Sequence, residues 1–221
     1  MESEPAYCPP AYSPPRVLFE DEFLLAIEKP AGLLSVPGRG PDKSDCLSAR
    51  VQQIYPSARI VHRLDMETSG LLLFARDEAT QRLLGQLFEQ RKMGKTYVAV
   101  VHGKPGTDSG RIDAPLIADW PHRPLQKVDF EHGKPSQTGF RVLSYDDETD
   151  QSRLRLEPFT GRSHQLRVHL HYIGHPIVGD RLYYPHSTLH RTERLMLHAT
   201  GLVFTHPQTG DSLTISSPAS F

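Results

Sequence analysis

The chain has 221 residues, 38% of them hydrophobic and 23% charged, which is enough for one sizeable core or two tightly joined lobes. Lys and Arg number 25 against 26 Asp and Glu, a balance that argues against a nonspecific polyanion binder and leaves room for a local basic groove. Cys8 and Cys46 form no ligand pair or disulfide framework, which fits a reducing cytoplasm, and the chain has neither an apolar run long enough to span a membrane nor a signal-peptide pattern.

Residues 1–15 contain Pro5, Pro9, Pro10, Pro14 and Pro15 and little to bury, so they are expected to form a flexible or polyproline-like tail. Two short apolar runs around Glu20-Asp21-Glu22 predict a strand hairpin over Arg16–Ala26. Lys29 to Gly38 is punctuated by Pro30, Gly32, Pro37 and Gly38 and reads as loop. Ser44 is placed to cap a helix with Leu47, Val51 and Ile54 on one face and Pro56 just beyond it. Then comes His62-Arg63-Leu64-Asp65-Met66-Glu67-Thr68-Ser69-Gly70, a loop rich in turn formers, feeding the apolar run Leu71–Ala75, which predicts a buried strand.

Asp77 is placed to cap a second helix striped by Leu83, Leu84, Leu87 and Phe88, with Gly94 as its stop. Lys95–His102 predicts a strand with Tyr97 and Ala99 on one side. Residues 103–136 are rich in Pro and Gly and carry Trp120, His122, Arg123 and Lys127, the composition of a protruding hairpin able to touch nucleic acid. Residues 137–146 and 152–157 predict a hairpin over an acidic turn. Ser163 is placed to cap a helix to about Tyr172, with Leu166, Leu170 and Ile173 on its apolar face, Arg167 off that face and Gly174 past its end. His164, His169, His171 and His175 cluster here, but no carboxylate completes a metal site at the right spacing, so hydrogen-bonding roles are expected. Arg191–Ala199 reads as helical or extended, and Leu202–Thr205 with Leu213–Ile215 predicts a terminal hairpin. Strands outnumber helices and short turns join them, which predicts an α+β fold with a mixed, largely antiparallel sheet and flanking helices.

The loop before Leu71 holds the chemistry. By its residues alone, Asp65 reads as a turn cap with Arg63 as its surface partner. The full string is more specific: His62-Arg63-Leu64-Asp65, two residues, then Thr68-Ser69-Gly70 resembles the signature of the RluA family of RNA pseudouridine synthases. Further blocks follow in the family's order: Glu28–Gly38, Lys95–Ala99, Thr160–His169 and Gly174–Asp180. Together they span roughly residues 17–220. Asp119-Trp120-Pro121, Arg123-Pro124 and Gln126-Lys127-Val128 are similar to the family's short branch with dual specificity for ribosomal and transfer RNA.

The resemblance implies a single catalytic domain over residues 16–221, with a central cleft and no separate N-terminal RNA-binding module. It implies conversion of uridine to pseudouridine in hairpin loops of large-subunit ribosomal RNA and in tRNA anticodon stem-loops, with the base flipped out of its stack. Asp65 is the implied catalytic carboxylate and Arg167 its partner. Tyr97 is the implied ring for the uracil and a phenol able to pass a proton, although it reads equally as a half-buried strand tyrosine. Leu166 and Leu170 are implied pocket walls, although both fit ordinary helix core. Arg63 matches the residue that fills the vacated stack, and a phosphate contact is its plainer reading. His62 is expected to orient the loop, Arg162 to hold phosphate at a helix start, and Arg123 and Lys127 to touch RNA from the hairpin. The isomerisation consumes nothing, and the chain has no P-loop and no Rossmann glycine pattern, so no cofactor and no metal are expected. The implied partner is RNA, met by a cytoplasmic monomer with no obligatory protein partner. Arg outnumbers Lys by 18 to seven, which suits phosphate and base contacts and fits a genomic Arg preference equally well.

Overall fold

The computed structural model describes residues 7–184, 192 and 194–221. The sheet is built around β4 (Ser69–Ala75), every residue of which is buried. Its alternate side chains enter two separate cores. Leu71, Leu73 and Ala75 pack with Leu24, Ala26, Leu84, Leu202 and Phe204, while Leu72 and Phe74 pack with Leu25, Ile27, Leu33, Leu47 and Val51. A strand covered on both faces reads as an unbroken apolar run, which is why Leu71–Ala75 is legible in sequence.

In chain order, β1 (Arg16–Glu20) and β2 (Leu24–Lys29) precede α1 (Leu47–Gln52) and the two-residue β3 (Arg59–Ile60). After β4 come α2 (Glu78–Glu89), β5 (Gly94–His102) and β6 (Ser109–Asp113). The short β7 (Leu116–Ala118) and β8 (Gln126–Val128) form a separate two-stranded hairpin, with Leu116 also bridging Lys134. β9 (Gln137–Asp146), β10 (Gln151–Pro158), α3 (Gln165–Tyr172), β11 (Leu197–Thr205) and β12 (Ser212–Ser216) complete the described elements. The main sheet runs β1-β2-β4-β11-β5-β10-β9-β6, with β12 added to β11 and β3 to β4. This is the expected α+β arrangement: among the described residues every neighbour is antiparallel except β4 and β11.

That one parallel contact joins two antiparallel halves through only His198↔Ser69 and Ala199↔Gly70. The halves diverge there, and the loop holding Asp65 enters β4 at that divergence. Gly70 makes the junction possible. Its φ is +111°, and a Cβ on it would stand 2.3 Å from the Ala199 carbonyl oxygen. The third core, built from β5, β10 and α3, lies across the seam and includes Ala99, Val101, Leu154, Leu156, Leu166 and Leu170.

Several sequence expectations are corrected. Residues 7–15 form no regular element but are held down: Tyr7 Oη donates to the Asp45 carbonyl, and Arg50 donates to the carbonyls of Pro10 and Ala11. Cys46 rather than Ser44 occupies the N-cap of α1, without a side-chain cap bond. Ile54 lies past that helix and is exposed. Asp77 does cap α2, accepting from Thr80 N–H at 2.8 Å, but Leu83 faces solvent. Gly94 does not stop that helix; Arg91, with φ 58°, turns the chain, and Gly94 opens β5. His164 rather than Ser163 is the N-cap of α3. Of the stretch read over Arg191–Ala199, positions 191 and 193 lie outside the described residues; from Leu197 onward it is β11.

Gly70→Ala is expected to destabilise the fold by about 3 kcal/mol or more, because the clash is with backbone and cannot relax by a rotamer change. Gly85→Ala, on α2 with open space around its added methyl, is expected to stabilise by about 0.5–1 kcal/mol. Urea unfolding of both variants checks the pair.

Candidate active site

A cleft of about 1100 Å³ opens where the two half-sheets part. Its lining draws on the loop before β4, the end of α2, β5, β10 and the start of α3. Arg63, Arg91, Lys95, Arg111, Arg155, Arg162 and Arg167 face it, against Asp65, Glu89 and Glu157. The near-neutral chain thus concentrates positive charge where a polyanion would enter.

Asp65 is anchored from below. Its loop closes with Thr68 N–H donating to the Asp65 carbonyl. The fully buried Lys29 donates from Nζ to the carbonyls of Pro30, Leu33 and Met66 at 2.6–2.9 Å. Three acceptors match the three N–H donors of an ammonium. Burial pushes this lysine down to about 7, against the opposing pull of Glu67 and Asp65. Leu64 is buried beside Asp65, and its N–H donates to Ser35 Oγ, which in turn donates to the Leu64 carbonyl.

Arg167 and Asp65 come together as expected, with one qualification. Nη1 of Arg167 lies 3.9 Å from Asp65 Oδ2, an ion pair without a direct hydrogen bond. The primary partner of Arg167 is Asp180, which accepts from Nε at 2.8 Å and from Nη2 at 2.7 Å. The side chains of Arg167 and Asp180 are 3% and 1% exposed, whereas that of Asp65 is 23% exposed. A sealed fork therefore holds the guanidinium, and only its remaining nitrogen reaches the open carboxylate. Burial works against the charge of Arg167, but the fork and the charges of Asp180 and Asp65 outweigh it and hold its pKa above the usual value.

Tyr97 lines the same cleft from β5 and packs against the cores on both sides of the seam. Burial, reinforced by the negative charge of Asp65, raises its phenol. The Tyr97 hydroxyl has no hydrogen-bond partner among the described residues. Leu166 is buried at the cleft wall, and Leu197 lines it as well. Leu170 is fully buried in the core rather than in the cleft lining, a correction to its expected role.

Arg63 and Arg162 are exposed at the cleft. His62 is turned inward: its Nε2 accepts from Leu73 N–H at 3.0 Å and its ring packs on Phe88 at 4.7 Å. Burial pushes it down to about 3, so the ring is neutral and acts as a post between loop and strand. Arg123 and Lys127 stand outside the cleft lining, exposed on the β7–β8 hairpin, with Arg123 stacked on the exposed Trp120 at 3.4 Å. Among the described residues no group of three or more His, Cys, Asp or Glu side chains is arranged to hold a metal ion. The His cluster is dispersed: His169 bonds Thr138 and the Ala114 carbonyl, and His175 bonds the His102 carbonyl.

Sequence reasoning gave no role to Lys29, Asp180 or Tyr183, and expected of His164 only the hydrogen bonding common to its cluster. Asp180 closes the last of the blocks quoted above, and Lys29 sits in the first, so the signal was present without a partner to explain it.

The class is defined by a cationic cleft at the seam of a two-part mixed sheet, in which the Asp65 carboxylate, the fixed Arg167 guanidinium and the Tyr97 ring come together. The family model for RNA pseudouridylate synthase matches residues 23–172, and the chain belongs to that family. It is an RNA pseudouridine synthase. The chain is 47% identical over 218 residues to the dual-specificity RNA pseudouridine synthase RluA of Vibrio vulnificus, covering 97% of this chain and 87% of that one. To the enzyme of the same name from Escherichia coli K12 it is 46% identical over 215 residues, covering 95% and 98%. The solved structure of human RNA Pseudouridylate Synthase Domain Containing 1 matches with a TM-score of 0.78 at 27% identity, covering 100% of this chain and 87% of that one. Among the described residues no helix is long and apolar enough to cross a membrane.

Proposed function

We propose that the chain isomerises a uridine in a hairpin loop of large-subunit ribosomal RNA and one in a tRNA anticodon stem-loop, with Asp65 as its catalytic carboxylate. One observation carries the reading: the Asp65 carboxylate lies 3.9 Å from a guanidinium fixed by another residue, in the same cleft as the Tyr97 ring. The dual choice of RNA is supported by the similarity to relatives named for dual specificity. The enzyme works as one catalytic domain over residues 16–221, as a cytoplasmic monomer.

The reaction breaks the C1′–N1 bond, turns the uracil and joins C5 to C1′; the proton on C5 is lost and N1 gains one. Atoms balance without a co-reactant, so no cofactor is required. The uridine first leaves its stack, at a cost of about a few kcal/mol. Arg63 at the mouth fills the gap left behind, and Arg162 binds phosphate beside it. Trp120, Arg123 and Lys127 grip the stem from the hairpin.

Asp65 acts as an anion, whether it attacks the sugar or the base or removes a ribose proton. Arg167 offsets the cost of partly desolvating that anion and fixes its direction. The detached uracil rests on Tyr97, walled by Leu166, and is kept from water while it turns. Burial, and to a lesser extent the charge of Asp65, raises the Tyr97 phenol at the outset. Once Asp65 is neutralised by bonding or protonation, the influence of its charge ends and the phenol releases its proton more readily, to N1, so that the phenolate can then accept the proton from C5.

Tritium release from C5-labelled uridine in transcripts of both RNAs tests the reading. Asp65→Asn is expected to lower the rate about 1,000-fold or more, a barrier increase of about 4 kcal/mol, while RNA still binds. Substantial release by a folded Asp65→Asn variant would exclude Asp65, and release from only one RNA would exclude dual choice. Tyr97→Phe is expected to keep RNA affinity and lose about 100-fold in rate; full activity would remove the phenol from the mechanism.

A further inference from the structure

The Asp65 carboxylate has two oxygens, and Arg167 meets only one of them. Oδ2 faces Arg167; Oδ1 faces His164, whose Nε2 is also 3.9 Å away. His164 is not free to turn. Its Nδ1 lies 2.7 Å from Tyr183 Oη, and that hydroxyl accepts from Gln126 N–H at 2.9 Å.

The directions of these bonds follow from the donors. Tyr183 Oη accepts from Gln126, and among the described residues its own proton has no acceptor other than His164 Nδ1, so that bond is assigned as Oη donating to Nδ1. Nδ1 is then the acceptor of the ring, which places the ring proton on Nε2, aimed at Asp65. Burial lowers the pKa of His164, with Arg167 and Arg63 adding to that and Asp65 and Asp180 opposing it. The ring is therefore a neutral donor. A charged ring would bring a second proton to Nδ1 and leave the Tyr183 proton without an acceptor.

Two further features hold the arrangement. His164 has φ 54° and ψ 16°, a left-handed conformation that side chains other than glycine rarely adopt. Its ring reaches the cleft from there rather than continuing α3. Asp180 accepts from the N–H groups of Leu182 and Tyr183 with the same carboxylate that grips Arg167. The Arg167 guanidinium also lies 5.1 Å over the Tyr183 ring. Asp180 thus sets both flanks of Asp65, one through Arg167 and one through Tyr183 and His164.

We infer that His164 is a positioning residue for Asp65, with its tautomer fixed by Tyr183, whose hydroxyl is held in turn by Gln126 of the β7–β8 hairpin. Gln126 opens β8 on the hairpin that carries Trp120, Arg123 and Lys127. The relay runs from that hairpin through Gln126, Tyr183 and His164 to the carboxylate, so a hairpin held in place by RNA completes the alignment of Asp65. The gaps of 3.9 Å on both oxygens suit contacts that tighten when substrate arrives. The inference rests on Asp65 being the catalytic carboxylate.

The test is single-turnover tritium release from the same C5-labelled transcripts, with RNA affinity and thermal unfolding measured alongside. His164→Ala is expected to slow release by about 10- to 100-fold with RNA affinity unchanged. His164→Gln, whose side-chain N–H₂ reaches near the position of Nε2, is expected to recover most of that loss; His164→Asn is not. Tyr183→Phe removes one oxygen and is expected to slow release by about 3- to 10-fold. It should also broaden or reverse the tautomer of His164, read by ¹⁵N NMR of the ring. Unchanged single-turnover rates in both His164→Ala and Tyr183→Phe would overturn the inference. So would a rate loss matched by lost RNA affinity, which would make His164 an RNA contact. If His164→Ala fails to fold, Tyr183→Phe decides by its rate and its NMR tautomer. An active Asp65→Asn control would instead overturn the reading of Asp65, and this inference with it.

Discussion

The site depends on the fork between Arg167 and Asp180. A guanidinium pointing freely into a cleft would be drawn to solvent or to phosphate, and its distance from Asp65 would be undefined. Two hydrogen bonds of 2.7 and 2.8 Å to a buried carboxylate remove that freedom. They satisfy two of the nitrogens and leave the third aimed at Asp65. The cost of burying both charges is offset by mutual pairing and by the backbone N–H groups of Leu182 and Tyr183 on Asp180. Asp65 itself remains partly open, as a group that must meet substrate has to be.

The fold supplies the place for this arrangement. Two antiparallel half-sheets meet along a parallel contact two residue pairs long, and Gly70 lets the backbones come close enough to meet there. Asp65 arrives at that seam on a loop fastened by Lys29, Ser35 and the inward ring of His62. Tyr97 comes from β5 on one side of the seam and Arg167 from α3 above it. Neither half-sheet holds the whole site, so the geometry is a property of their junction.

Much of this was legible in the sequence. The unbroken apolar run of β4, the Asp77 cap and the two long hairpins follow from residue type and period. Asp65, Tyr97 and Arg167 were found by the specificity of the strings around them, not by any local physical signal. What stayed hidden was pairing across space. Asp180 lies 13 residues from Arg167 beyond a helix end, and nothing in the spacing predicts their fork. Ser163 looked like the cap of α3, but His164 holds that position without a side-chain cap bond, and the Gln165 side chain instead ties down the preceding loop by accepting from Arg162 N–H and from Thr160 Oγ1. His164 itself takes a left-handed conformation there, with Nε2 3.9 Å from Asp65. Leu170 and Leu166 share a stripe, and only the position of the seam separates core from cleft wall. His62 sits in the signature string, and its Nε2 is bonded across space to a strand amide, a partner its spacing does not predict.

The most direct measurement of the central claim is the single-turnover rate of Arg167→Lys. A lysine keeps the positive charge but cannot hold both Asp180 oxygens and still present a nitrogen to Asp65. The account predicts a folded protein that binds RNA normally and forms pseudouridine about 100-fold more slowly. A rate equal to that of the wild type would mean that charge alone suffices, and would contradict the claim that a fixed guanidinium aligns the working carboxylate.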